Sequence, residues 1–203
     1  MKRIFPIILL LFFNSCITTG LISDLQANVK FPKSVFDDGK EIHIFKTSID
    51  LYKNHFSGML IVKKNDKKTY RTVFVNEIGM KFFDFTVSDK EFTVNYIFDA
   101  LNRKLLLKLF ASDFRLMLMN DVSYSKSKIY YSQDKKNVVF KIKKRMYFAT
   151  TADNKLTKIE QYSTFRKTLQ IDYKNYTNNF PKNIILNHRN IKFSMELELI
   201  KSN

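Results

Sequence analysis

From residue 41 to the end of the chain, apolar and polar residues alternate with a period of two in short segments, and this limits the possible folds most. The pattern is cleanest near the C-terminus, where Ile191, Phe193, Met195, Leu197 and Leu199 alternate with Lys192, Ser194, Glu196 and Glu198. Alternate side chains of a strand point to opposite faces, so this segment has one dry face and one wet face. Residues 69–75 repeat the pattern with Tyr70 and Phe74 on one face, and residues 91–98 with Phe92, Val94, Tyr96 and Phe98. Polar turns at residues 64–68, 88–90 and 152–155 separate such segments at hairpin spacing. The expected class is mainly β: a large curved antiparallel sheet, a half-barrel of about eleven strands, whose concave apolar face is covered by a helix.

Residues 101–119 interrupt the β pattern. At helical spacing Lys104, Lys108 and Arg115 form a narrow basic stripe, while Leu105, Leu106, Leu109, Phe110, Phe114, Leu116 and Met117 occupy most of the remaining circumference. Asp99 or Asn102 is placed to cap its start. A helix this apolar needs protein or lipid on several sides. The five charged residues between Arg103 and Arg115 argue against a membrane span. A core helix lying in the curved sheet is the favoured reading, and a membrane-inserting helix is the other.

The N-terminus bears on the compartment. Lys2 and Arg3 precede an apolar run at residues 4–13, ten residues long, which Asn14, Ser15 and Cys16 close. Spanning a bilayer takes about 20 helical residues, so the run reads as an export signal. Its lone cysteine resembles the bacterial lipoprotein signal, in which that residue is acylated and exposed by cleavage. The alternative is an ordinary signal that contains a cysteine. The expected organisation is a signal at 1–15, a lipid-anchored segment at 16–40 beginning with Cys16, and a folded domain at 41–203. Cys16 is the chain's one cysteine, so an intramolecular disulfide and a thiolate metal cage are both excluded. Twenty Phe and ten Tyr with no Trp imply an aromatic β core. The net charge of +16 favours anionic partners; for an exported chain that means the phospholipid surface rather than nucleic acid.

Few residues suggest catalysis. The four glycines build no phosphate-binding loop and no nucleophile elbow. His43, His55 and His188 stand at no metal-ligand spacing, and His43 alternates with Ile42 and Ile44 as a solvent-facing strand residue would. The paired acids Asp37-Asp38 and Glu196/Glu198 read as a turn and a wet strand face, and the basic run Lys143-Lys144-Arg145 as a solvated turn. The expectation is a protein that is not an enzyme and holds no catalytic group, metal or cofactor.

The segment Tyr70-Arg71-Thr72-Val73-Phe74-Val75-Asn76-Glu77-Ile78-Gly79 resembles the outer-membrane lipoprotein receptor of the lipoprotein-localisation pathway, the LolB family. There a strand of Y-R-x-x-x-x-N-P-L-G type leads into a protruding loop with an exposed leucine; here Glu77 stands for the proline and Ile78 for the leucine. The order of signal cysteine, meander, mid-chain helix and final hairpin also matches. The resemblance implies an outer-membrane protein, lipid-anchored through Cys16 and facing the periplasm, that accepts acylated lipoproteins from a periplasmic carrier and inserts them into the phospholipid membrane. It implies a membrane-contact loop at Ile78 and Gly79 and an acyl-chain cavity. Alternation nominates Phe83, Phe85, Phe92, Val94, Tyr96, Ile171, Phe193, Met195 and Leu197 to line that cavity. A monomer is expected. The alternative is a lipid-anchored module of the same shape that binds another amphiphile or scaffolds an envelope complex. Ile78 itself is either folded back or exposed, and the resemblance favours exposure.

Overall fold

The structure is a computed structural model that describes residues 33–88, 90–119, 129–131, 137–142, 145–164 and 166–203. Outside them lie residues 1–15 expected to form an export signal, Cys16, most of the 16–40 segment, and Lys143 and Lys144 of the basic run.

Among the described residues twelve strands form one antiparallel sheet. Five belong to an N-terminal meander: β1 (Ile42–Leu51), β2 (Asn54–Asp66), β3 (Thr69–Val75), β4 (Lys81–Ser88) and β5 (Phe92–Ile97). A 3₁₀ turn (Asp99–Leu101) and the helix α1 (Lys104–Met117) follow. Then come β6 (Ile129–Tyr131), β7 (Asn137–Ile142), β8 (Arg145–Ala152), β9 (Lys155–Ser163), β10 (Arg166–Thr177), β11 (Phe180–His188) and β12 (Phe193–Ser202). The spatial order is β5-β4-β3-β2-β1-β12-β11-β10-β9-β8-β7-β6. First and last strands pair at the centre, and β5 and β6 are the open edges. A chain that leaves β5 and enters β6 must therefore cross the whole sheet, and α1 lies in that crossing, on the inner face.

The inner face is aromatic. Phe83 and Phe85 stack with centroids 4.5 Å apart, and Phe110 and Phe114 of α1 pack onto them at 5.3–6.1 Å. Each of these rings is buried and contributes about 1.5–3 kcal/mol through burial alone. Tyr173 of β10 donates its hydroxyl to the carbonyl of Met117 at 3.2 Å, which satisfies a carbonyl at the helix end. The N-cap is Arg103, which makes no side-chain capping bond; Asp99 and Asn102, expected as caps, lie in and just after the 3₁₀ turn instead.

Three expectations need correction. Tyr96 does not share a face with Phe92, because the β4–β5 register shifts between Asp84 and Phe85, pairing Phe85 with Val94 but Asp84 with Tyr96. The inserted Asn95 is held by its amide, which donates to Asp84 Oδ1 (3.1 Å) and Thr86 Oγ1 (2.9 Å). This bulge turns Tyr96 to the outer face, where Lys81 lies over its ring. His43 faces inward at 2% exposure, stacked 4.4 Å from Phe180 and 3.0 Å from Asp38 Oδ2. Burial holds its imidazole below the ordinary 6.5. The domain boundary at 40/41 divides residues that pack together, since Val35 and Phe36 join the core and Phe36 sits edge-on to His43, Tyr70 and Phe180. These residues close one end of the half-barrel.

Outside, Arg71 grips the carboxylate of Asp84 with two bonds of 2.9 and 2.7 Å, and Lys81 adds a third at 3.3 Å. The Arg71 bonds come first among the causes that hold this carboxyl down at about 2, below its ordinary 3.8. A lowered folded-state value means that the stabilisation is complete above the unfolded value and fades as pH falls from about 4 to about 2. With Arg71 half exposed, about 1–2 kcal/mol is expected. Urea titrations should show Asp84→Asn less stable than the parent by that amount at pH 6, with the gap closed near pH 2. At Gly58 a Cβ would stand 2.0 Å from the Val75 carbonyl oxygen and 2.8 Å from the Asn76 Cα. Both are backbone atoms, so Gly58→Ala should cost about 1–3 kcal/mol, read as a lower urea midpoint at unchanged slope.

Candidate functional site

Strand direction sorts the loops into two ends. β1 finishes at Leu51, which pairs with Asn54 at the start of β2 and Phe193 at the start of β12. The pairings carried outward place the end of β3, the end of β11, the start of β8 and the start of α1 at this same end. The opposite end is the one closed by Phe36, His43 and Phe180.

At the open end lies a cavity of about 580 Å³ between the outer flank of α1 and the strand ends, within the range of lipid- and cofactor-sized pockets. One wall is apolar: Leu51, Leu105, Leu106, Leu109 and Ile191. The other is polar: Ser112 and Asp113 of α1 face Arg145, Gln161, Thr168 and His188 of the sheet. His188 Nε2 bonds to Asp113 Oδ2 at 2.8 Å, and both side chains are buried. Burial pushes the Asp113 carboxyl above its ordinary value, while the His188 bond and the charge of Arg145 pull it back. Gln161 Nε2 donates to Thr168 Oγ1 at 2.9 Å, which leaves Gln161 Oε1 buried with no hydrogen-bond partner among the described residues. Arg103 and Lys108 stand on the helix side of the cavity.

Around this end the chain exposes large apolar side chains: Tyr52 in the β1–β2 turn, Leu105 on α1, and Ile78 and Met80 in the β3–β4 loop. Ile78 is 89% exposed. Its loop is built, not slack. Asn76 Oδ1 accepts the backbone N–H of Ile78 (3.1 Å) and of Met80 (2.8 Å), while the Asn76 and Gly79 amides bond to the carbonyls of Met80 and Asn76. Gly79 takes a φ of +85°, which suits a residue without Cβ. The fold thus presents Ile78 to solvent in a defined turn.

The nine residues nominated for a cavity lie elsewhere. Phe83, Phe85, Ile171, Met195 and Leu197 are buried in the core, with Phe83 and Phe85 beneath α1. Phe92 is half-buried against Phe85. Phe193 touches Phe110 and borders a shallow groove beside the cavity. Val94 and Tyr96 are exposed on the edge strand. The helix lies down on the aromatic face and fills it, so the open space is displaced to its outer flank and to the strand ends. Asp113 and Gln161 are unremarkable in their own segments, and His188 reads there as a histidine at no ligand spacing; only the pairing of residues 75 positions apart makes a buried polar wall. A lone Asp on an apolar helix was the available signal. Among the described residues no group of three or more His, Cys, Asp or Glu is placed to hold a metal ion, and no described helix is long and apolar enough to cross a membrane.

No family model and no curated protein matches the sequence. Among solved structures, a LolA superfamily protein from Nitrosomonas europaea is similar at TM-score 0.53 and 10% identity, over 86% of this chain and 88% of that one. The chain has the LolA-like half-barrel fold. Weaker likenesses are to an outer-membrane lipoprotein-sorting protein domain from Vibrio parahaemolyticus (TM-score 0.46, 10% identity, 82% of this chain and 85% of that one) and to a DUF1329 family protein from Desulfovibrio piger (0.45, 7%, 83% and 88%).

The Asp113–His188 bond ties α1 to β11 across the cavity. Asp113→Ala would strand a buried imidazole and should destabilise the protein by about 3 kcal/mol. Asp113→Asn, whose amide oxygen still accepts from the ring, should cost less than half of that in the same urea titration.

Proposed function

We propose that this chain is a lipid-anchored acceptor that takes up the acyl chains of lipoproteins in the cavity beside α1 and passes them to the outer membrane. The reading rests most on one arrangement. A cavity of about 580 Å³ with one apolar wall and a ring of exposed apolar residues, Tyr52, Ile78, Met80 and Leu105, share one end of the half-barrel. A cavity that opens beside side chains able to enter a bilayer can release an amphiphile without taking its acyl chains through water. The mechanism is non-covalent and assigns no catalytic residue. Exposing acyl methylenes costs about 0.8 kcal/mol each, and docking of the open end on the bilayer removes that cost during transfer. One inserted Ile contributes at most about 1.5–3 kcal/mol, enough to orient the open end but not to hold the protein. Anchoring falls to Cys16. Lys53, Arg103, Lys104 and Lys108, close to the same end in sequence and fold, suit an anionic lipid surface.

The direct test incubates the anchored protein with a carrier–lipoprotein complex and membranes and scores the lipoprotein that reaches the membranes. Ile78→Glu should leave the unfolding midpoint within about 0.5 kcal/mol of the parent, because an exposed side chain contributes little to folding. It should cut transfer several-fold, since a second carboxylate beside Glu77 opposes entry into lipid. A large loss of stability with transfer intact would remove the loop from the mechanism. Cys16→Ala should leave the domain folded and shift it from the membrane pellet to the soluble fraction after a salt wash.

A further inference from the structure

The polar wall of the cavity does not match a neutral ligand. A pocket built for acyl chains alone gains nothing from cations, and those at this opening are solvent-exposed rather than buried. Yet Arg103, Lys108 and Arg145 line it, and none of the three forms an ion pair with a described residue. Among the described lining residues the one carboxylate, Asp113, is engaged by His188 at 2.8 Å. Three cations thus stand against one carboxylate among the described residues around the opening. Gln161 adds a buried amide whose oxygen has no partner among the described residues. Its Nε2 gives one hydrogen to Thr168 Oγ1, whose own proton goes to the Gln161 carbonyl at 3.2 Å, so the second amide hydrogen is a donor at the cavity wall. Apolar and charged walls face each other across one space, as in a site for an amphiphile with a charged end.

We infer that the cavity binds a single-chain amphiphile with an anionic headgroup, a carboxylate or a phosphate, its chain along Leu51, Leu106, Leu109 and Ile191 and its headgroup toward Arg145, Lys108 and Gln161. The inference rests on the acyl-chain reading of the cavity and narrows it. The acyl groups of a lipoprotein, joined by ester and amide bonds, carry no such charge, so a free fatty acid or a lysophospholipid is a further ligand of this cavity beside them. Charge-assisted bonds to a carboxylate or phosphate are the strongest such a wall can make.

The test uses the full chain carrying Cys16→Ser, so that no attached acyl group competes for the cavity. Fluorescence titration at pH 8 compares cis-parinaric acid with its methyl ester. The acid should bind at least about tenfold more tightly, equivalent to about 1.4 kcal/mol. In Lys108→Gln/Arg145→Gln that preference should disappear while the affinity for the ester stays unchanged, which also shows that the variant is folded. Dodecanoate and dodecyl phosphate, used as competitors, separate the two headgroup sources, and displacement by either supports the inference. Equal binding of acid and ester by the parent, or an intact preference in the double variant, would overturn the headgroup site and leave the acyl cavity standing. Binding of neither probe would overturn the acyl cavity and this inference with it.

Discussion

Everything in this protein depends on one crossing. The sheet is open, its first and last strands pair at the centre, and its two edges are occupied by β5 and β6, which are consecutive in sequence. The chain between them has to traverse the inner face, and a helix is the economical way to do so because it satisfies its own backbone hydrogen bonds over apolar ground. The rings of Phe110 and Phe114 on Phe83 and Phe85 then supply the burial that keeps the helix down. Tyr173 and the Asp113–His188 pair fix its C-terminal half in register with β10 and β11.

That packing also decides where space is left. A concave sheet without the helix would expose a continuous aromatic trough. With the helix seated, the trough is filled and the cavity lies at the end marked by Leu51 and His188. The opposite end is sealed by Phe36 against His43 and Phe180. The molecule is thus polar in the directional sense, with one plugged end and one end that combines a cavity, a fixed Ile78 loop and exposed cations. The transfer proposed for this chain would use such asymmetry, because cargo must enter and leave through a surface that can dock.

The two Asp-centred polar sites show how differently burial and exposure are used. On the outer face Asp84 is surrounded by Arg71, Lys81 and Asn95, a local network that pins the β3–β4–β5 corner and its bulge. On the inner face Asp113 meets a single histidine from a distant strand in a dry setting. The first holds neighbouring strands; the second joins the two halves of the chain at the wall of the cavity.

The alternation of apolar and polar residues by itself determined the class of fold, the hairpins, the position of the mid-chain helix and the turn at Asn76–Gly79, because each of these is written in local periodicity and turn chemistry. It did not determine which alternating faces stay in phase. Asn95 inserts one residue into β5, and a bulge reverses the side of every residue beyond it, so Tyr96 left the face assigned to it. Nor did it reveal that His43 and His188 are buried, since a strand histidine reads the same whether Phe180 or water covers it. Only the tertiary structure decided that the aromatic face is filled and that the cavity has a charged wall. Both depend on which residues of α1 meet residues far away in sequence, and local pattern holds no information about such pairings.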